Sequence, residues 1–333
     1  MLYQKLRSFG GIIINRKSHL RCVILLLLGL YSVSLGDSTP EKYTGYIDAT
    51  ITVDGIERTY CMYVPDIPAI HSKEPLPLLI ALHGAGGTAK GMEENVTLGR
   101  FDELAYTEGF IVVYPEGVQK QWNDGKNDTN PAKNGVDDVR FISTLIDNIS
   151  QQYNIDTKRI YITGLSNGGM MAFRLACELS DRIAAIAAVA ALMPENLAST
   201  IPNDKVSVLL IHGTDDPLVP WDGGNVHIFV IEGGRVLSVT QTIEFWVRRN
   251  ECTLQISKTY LPDIDETDET CVWKEEYANA QDGARVVLYG IDGGGHSWPS
   301  GIVNLPQWVI GKTNSDVNAC DIIWGFFKGT KKK

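Results

Sequence analysis

No CxxC pair and no cluster of His and Cys occurs in this 333-residue sequence, which has six residues of each type. Spacing suited to a bound metal is therefore missing, and neither a metal nor another cofactor is expected. No apolar run reaches the roughly 20 residues that a membrane-spanning helix needs. Basic residues are in deficit, 30 against 40 acidic, and they are unevenly spread. Lys5, Arg7, Arg16, Lys17 and Arg21 all precede the first acidic residue, Asp37; without those five, 25 basic residues face 40 acidic ones. So acidic a body excludes nucleic acid and an anionic membrane surface as expected partners. Internal repeats and low-complexity linkers are absent too. With 44% hydrophobic and 21% charged residues the composition is that of a globular chain, and residues 37–333 read as a single domain.

What is present begins with an address. The basic stretch ending at Arg21 runs into the apolar segment Cys22–Leu30, and Ser34 and Gly36 then fit a cleavage site before Asp37. This three-part pattern predicts a secretory signal peptide over residues 1–36 and an extracellular protein without a stable membrane anchor. Glycosylation sequons at Asn95, Asn127 and Asn148 agree with it. In an oxidising compartment the five remaining cysteines would tend to pair. Cys252 and Cys271, which flank the polar segment Leu261 to Thr270, are the expected disulfide, and Cys61, Cys177 and Cys320 are left unassigned.

Ile47–Val53 and Ile56–Val64 alternate apolar and polar residues around Asp54-Gly55, which predicts an antiparallel hairpin. Short, nearly continuous apolar runs follow at Leu78–Leu82, Phe110–Tyr114, Ile160–Thr163, Ile186–Ala190, Val206–Ile211 and Val286–Tyr289. Strands covered on both faces read this way. Val136–Tyr153, Asn167–Leu179, Leu237–Arg249 and Asp316–Phe327 carry apolar residues at helical spacing between them. The pattern predicts an α/β protein with an open, mostly parallel, doubly wound sheet, whose chemistry belongs at the carboxyl ends of the strands.

Three motifs meet that criterion. Gly164-Leu165-Ser166-Asn167-Gly168 joins a strand to a helix, as a nucleophile elbow does, although a glycine-rich turn with a capping serine would read alike. His212-Gly-Thr-Asp-Asp-Pro217 and Gly293-Gly-Gly-His296 each follow a strand. The chain order Ser, Asp, His suits a serine nucleophile with an oriented base, making Ser166, Asp216 (in preference to Asp215) and His296 the catalytic candidates. Oxyanion donors are expected from the Asn167 N–H and from the loop His83-Gly-Ala-Gly-Gly87, at Ala85 or next at Gly86. His83 and His212 read as structural loop residues, and Asp137-Asp138 as helix caps. Trp122, Trp221 and Trp298 lie near these loops and could stack on a planar or sugar-bearing substrate, where core packing is the competing explanation. Trp246 and Trp324, on helical stretches, read as core.

Leu82-His-Gly-Ala-Gly-Gly87, Val136-Asp-Asp-Val139, Gly164-Leu-Ser-Asn-Gly-Gly-Met-Met171, His212–Pro217 and Gly294-Gly-His-Ser-Trp-Pro299 together resemble the secreted α/β-hydrolase esterases grouped as feruloyl esterases and polyhydroxybutyrate depolymerases, relatives of carbohydrate esterase family one. The resemblance implies the α/β-hydrolase fold, a Ser166–His296–Asp216 triad, a cysteine pair like Cys252–Cys271, and an ester substrate that is small or polymeric. No appended polymer-binding module is seen, which favours a feruloyl-type esterase over the alternative of a polyester depolymerase. A non-catalytic binding protein on a hydrolase scaffold is the further alternative, and the three intact triad candidates speak against it.

Overall fold

The structure, a computed structural model, describes residues 44–72, 74–228, 231–303 and 305–333. The segment read as a signal peptide, residues 1–36, lies outside them. Strands in chain order are β1 (Gly45–Val53), β2 (Ile56–Val64), β3 (Leu76–Leu82), β4 (Ile111–Pro115), β5 (Ile155–Leu165), β6 (Ala185–Val189), β7 (Ser207–Gly213), β8 (Gly224–Ile228), β9 (Ile231–Val236), β10 (Leu254–Tyr260), β11 (Cys271–Ala278) and β12 (Arg285–Asp292). Ten of them form one sheet in the order β1-β2-β4-β3-β5-β6-β7-β12-β11-β10, and β8 and β9 make a separate two-stranded ribbon. From β4 to β12 all pairings are parallel, while both edges are antiparallel. The chain lays β4 on one side of β3 and then returns to lay β5 on the other. The strand order therefore reverses between β3 and β5, where doubly wound sheets hold their ligands.

Each central strand is buried on both faces, which explains its uninterrupted apolar run. Leu78, Ile80 and Leu82 point toward the helices Asp138–Gln152, Asn167–Glu178 and Val239–Arg249, whose Phe141, Phe173 and Trp246 complete that core. Leu79 and Ala81 point the other way, toward Phe101 of helix Arg100–Glu108 and Trp324 and Phe327 of helix Ala319–Lys328. Local chemistry starts the helices where the pattern predicts. Ser238 and Gln241 form a reciprocal capping box, with bonds of 3.1 and 3.0 Å. Of the two acids read as caps, only Asp137 caps, accepting from Arg140 N at 2.9 Å. Asp138 is fully buried and pairs with Arg58 at 2.7 Å, tying β2 to the helix it begins.

The expected Cys252–Cys271 disulfide is not formed, and the antiparallel edge explains why. Thr253 N donates to Ala278 O at 3.1 Å, so Cys252 sits at the Ala278 end of β11, whereas Cys271 begins that strand. Seven residues of strand separate the two ends by about 23 Å, against the roughly 7 Å between Cα atoms that a disulfide tolerates. All five described cysteines are free thiols. Among the sequon asparagines Asn127 is exposed, while Asn95 and Asn148 are half-buried; Asn148 Oδ1 also accepts from Tyr60 and Gln152.

One buried carboxyl makes stability depend on pH. Asp102 accepts from the hydroxyls of Tyr114 at 2.7 Å and Tyr46 at 3.0 Å. Burial, helped by the charge of Glu93, overrides those bonds and lifts its pKa from 3.8 to about 7. Below the lower value folded and unfolded chains both carry the proton. As pH rises toward 7 the unfolded chain releases it and the buried group keeps it, so stability falls. Asp102→Asn removes this dependence while keeping an acceptor for the tyrosines. Thermal melts are expected to show a smaller loss between about pH 4 and 7 in the variant; equal slopes would contradict the assignment.

Candidate active site

Ser166 stands between β5 and the helix Asn167–Glu178 with φ 54° and ψ −120°, a conformation rare for a residue with a side chain. The surroundings enforce it. A Cβ on Gly164 would lie 2.4 Å from Gly168 C, and one on Gly168 would lie 2.5 Å from Leu82 O, so both positions require glycine. Two bonds fix the turn: Ser166 N donates to Val189 O and Met170 N to Ser166 O, each at 2.9 Å. The hydroxyl is thereby presented at the end of β5, above the first turn of a helix whose leading N–H groups lack intrahelical acceptors.

The loop after β3 closes against this elbow, since a Cβ on Gly84 would stand 3.6 Å from Ser166 Cβ. His83 holds the loop's shape. Its Nε2 accepts from Gly117 N at 2.9 Å, so its Nδ1 carries the proton and donates to Gly84 O at 2.8 Å. Burial keeps the ring neutral by lowering its pKa. Gly86 N is committed to Lys120 O at 2.8 Å, and Gly87 N to Gly84 O at 3.0 Å. The Ala85 N–H has no acceptor among the described residues, and the residue is exposed.

At the ends of β7 and β12, Asp216 and His296 meet. The carboxylate can only accept, so His296 Nδ1 donates to its Oδ2 at 2.8 Å and Nε2 is left with the lone pair. Asp216 Oδ1 takes the backbone N–H groups of Leu218 and Val219, both at 2.8 Å. Burial by itself would raise this carboxyl, but the charge and hydrogen bond of His296 outweigh it and hold the pKa below the usual value. Fully buried His212 braces the same turn by donating Nε2–H to Val219 O at 2.9 Å, 3.8 Å from Asp216 Oδ2. Asp215 is turned elsewhere, with Oδ1 near the Thr214 hydroxyl at 3.2 Å. No hydrogen bond joins Ser166 to His296 among the described residues, so shared position at the carboxyl ends of β5, β7 and β12 is what relates them.

The residue after Ser166 is clamped by its side chain. Asn167 Oδ1 accepts from Trp122 N at 2.8 Å, and its Nδ2 donates to Trp122 O at 3.2 Å and Asp124 Oδ2 at 2.6 Å. Asp124 is fully buried and is ion-paired to buried Lys126, which also lies 3.5 Å from Asp128 Oδ1. Asp128 in turn accepts from Gly234 N of the β8–β9 ribbon at 2.7 Å. This network was not legible in the sequence, where its members look like an ordinary polar loop.

Two of the three tryptophans expected to meet substrate are structural instead. Trp122 is fully buried, donates to His83 O at 2.9 Å and packs on the His83 ring. Trp298 is buried edge-on against Phe101 in the core. Trp221 is half-buried beside His212 and Trp273.

Comparison with known proteins agrees with this layout. A phospholipase/carboxylesterase family model matches residues 67–227. NocK of Nocardia uniformis subsp. tsuyamanensis, a protein named as an esterase, is 31% identical over 310 residues, 90% of this chain and 88% of that one. The chain belongs to the phospholipase/carboxylesterase family. It is a carboxylic ester hydrolase with the α/β-hydrolase fold. Feruloyl esterase B of Piromyces equi is 29% identical over 228 residues, 66% of this chain but 39% of that protein. The bifunctional acetylxylan esterase/xylanase XynS20E of Neocallimastix patriciarum is 32% identical over 167 residues, 50% of this chain and 22% of its own length. An acetyl xylan esterase structure from Aspergillus awamori superposes with a TM-score of 0.53 at 16% identity, covering 76% of this chain and 94% of that one, and shares the fold.

Truncating the clamp tests its part in this carboxylesterase. Asn167→Ala leaves Trp122 N and the Asp124 carboxylate short of a partner inside the protein. A stability loss of about 2 kcal/mol in urea melts is expected from those groups. A kcat lower by roughly 10- to 100-fold on 4-nitrophenyl acetate, with KM nearly unchanged, is expected if the elbow's donor shifts. A change in KM alone would show that the clamp does not set reactive geometry.

Proposed function

We propose that this carboxylesterase is a secreted serine enzyme of feruloyl-esterase type, cleaving hydroxycinnamoyl or related esters through Ser166, His296 and Asp216. The observation that carries the proposal is the 2.8 Å Asp216–His296 bond, which leaves His296 Nε2 as the basic nitrogen at the same sheet edge as the strained Ser166. His296 takes the Ser166 proton as the hydroxyl oxygen attacks the ester carbonyl. Negative charge develops on the carbonyl oxygen and is met by the N–H groups of Ala85 and Asn167. His296 then protonates the departing alcohol, and water activated by the same base releases the acid from the acyl-enzyme. Asp216 keeps the imidazole in the productive tautomer and steadies it when charged.

Two considerations support the finer points. Ala85 is exposed and its N–H has no acceptor among the described residues, while that of Gly86 is already used, which favours Ala85 as the loop donor. The basic stretch, short apolar run and small residues over 1–36 suit a cleaved leader, and Asn127 is the sequon best placed for a glycan. No described helix is long and apolar enough to cross a membrane. Relatives named for feruloyl and acetylxylan esters are the reason to look first at plant-wall esters.

The test compares the mature protein with Ser166→Ala on methyl ferulate, a short 3-hydroxybutyrate oligomer and 4-nitrophenyl acetate. Loss of about four orders of magnitude or more is expected in Ser166→Ala and His296→Ala, and a large loss in Asp216→Asn. The native rate should fall on acidification, because only a neutral imidazole accepts the serine proton. Cleavage of the oligomer but not of ferulate would move the enzyme to the polyester side. Full activity in Ser166→Ala would overturn the mechanism.

A further inference from the structure

The large sheet alone leaves the two halves of the site apart. Ser166 follows β5 and Asp216 follows β7, and β6 runs between them. A second connection lies outside that sheet, in the β8–β9 ribbon. One bond grips the turn of the acid: His227 N of β8 donates to Leu218 O at 2.7 Å, and Leu218 N is one of the two donors to Asp216 Oδ1. Further bonds tie β9 to the chain that follows β6, through Leu237 N to Met193 O at 2.9 Å and a bridge between Val236 and Pro194. A third contact reaches the elbow clamp. Gly234 N donates to Asp128 Oδ2 at 2.7 Å, and Asp128 Oδ1 lies 3.5 Å from the ammonium of Lys126. Lys126 is buried and ion-paired to Asp124, whose Oδ2 accepts from Asn167 Nδ2 at 2.6 Å. One ribbon thus holds chain that leaves β6 and β7 and, through Asp128, the residue that follows the serine at the end of β5.

The joint between ribbon and clamp is close. A Cβ on Gly234 would stand 2.7 Å from Lys126 Cβ and 3.1 Å from Lys126 O, so β9 lies directly on the loop. Gly234 has no positive φ, and it is this closeness that calls for glycine. A buried lysine between two carboxylates is a poor way to gain stability, because apolar side chains of similar volume would serve as well or better. What it supplies is a junction, joining the carboxylate that holds Asn167 to the carboxylate that holds the ribbon. Ester cleavage needs such a junction. The serine oxygen, the Asn167 amide and the base must meet at one carbonyl, within about 0.5 Å of the productive arrangement. Neither Asp128 nor Gly234 is hydrogen-bonded to Ser166, Asp216 or His296 among the described residues, so any effect of theirs on the reaction must pass through the groups they hold.

We propose that the β8–β9 ribbon is a strut that fixes the spacing of the Ser166 elbow from the Asp216–His296 pair, and that Asp128 is the positioning residue at its joint with the elbow clamp. The inference rests on the serine-esterase reading above and adds how the two halves of the site are kept in register.

The experiment measures kcat and KM on 4-nitrophenyl acetate for the native enzyme, Asp128→Ala, Gly234→Ala and the double variant, each with and without Asn167→Ala, well below every melting midpoint. Asp128→Ala removes the acceptor and Gly234→Ala lifts the strand from Lys126, so the joint is opened from its two sides. Each should lower kcat by about tenfold with KM within about twofold, the loss expected when reacting groups shift by a fraction of an ångström. The double variant should fall no further than the worse single one. In the Asn167→Ala background, where the clamp is already open, neither substitution should cost more than about twofold. Lower melting midpoints with native kcat in both variants would make the joint a matter of packing alone and overturn the proposal. Undiminished losses in the Asn167→Ala background would also overturn it, because the ribbon would then not act through the clamp. Should one variant fail to fold, the other decides by the same criteria. Ser166→Ala separates the two readings. If it is inactive while the joint variants keep native kcat, only the strut fails; if it keeps its activity, the serine-esterase reading fails and takes the strut with it.

Discussion

The backbone of Ser166 is the constraint around which the other parts are arranged. A residue with a side chain held at φ 54° and ψ −120° costs on the order of 1–3 kcal/mol, and it persists only where the surroundings leave no alternative. Here the alternative is removed by proximity. Leu82 O, at the end of β3, occupies the space that a Cβ on Gly168 would need, and Gly168 occupies the space beside Gly164. The turn is therefore squeezed between two parallel strands and its own helix. Those strands flank the reversal of strand order, and Ser166 stands at the end of β5 beside that reversal. The apolar cores on both sheet faces supply the stability from which the strain is met.

Charge is managed by the same logic of enclosure and pairing. Asp216, Asp138 and Asp124 are all buried, and each is held by a different kind of partner: an imidazole, a guanidinium, and a lysine together with an amide. A buried carboxylate without such partners would take up a proton instead. The Asp216–His296, Arg58–Asp138 and Asp124–Asn167 contacts also do geometric work, because each joins segments far apart in sequence. Arg58–Asp138 reaches Asn123, Asp124–Asn167 reaches the elbow, and His212 braces the turn that carries Asp216. These segments are thereby cross-tied, so the Asp216–His296 pair and the helix start behind Ser166 are held in place.

Legibility in the sequence followed the physics of burial. Strands β3 to β7 and β12 are covered on both faces, so their apolar runs announced them, and the order Ser166, Asp216, His296 could be read from the motifs at their ends. The opposite edge was silent. β10 and β11 are antiparallel and partly exposed, and charges such as Lys274, Glu275 and Glu276 interrupt β11, so neither strand carries a continuous apolar run. Missing that hairpin made a disulfide between Cys252 and Cys271 look natural, since closeness in sequence stood in for closeness in space. The tryptophans failed for a related reason. Whether an indole beside one of the candidate loops faces inward or outward depends on chain segments far away, such as Phe101 against Trp298 or His83 against Trp122. The local sequence carries neither fact. Trp308, the exposed one, had no motif around it at all.

These observations separate two kinds of residue in the site by what holds them. The groups assigned to bond-making hang from strand ends or helix starts whose side chains are buried, so altering their supports disturbs packing as well as chemistry. Trp308, Ile302 and Leu305 lie on irregular or short segments, and their side chains make their principal contacts with solvent. Exchanging one of them is expected to cost little folding free energy. Backbone contact between Gly295–His296 and Ile310–Lys312 ties the short helix Gln307–Ile310 to the segment that carries His296. That link fixes the helix relative to His296 without making Trp308 part of the core. A scaffold built this way can vary its exposed rim while the packed strand ends that carry Ser166, Asp216 and His296 stay rigid.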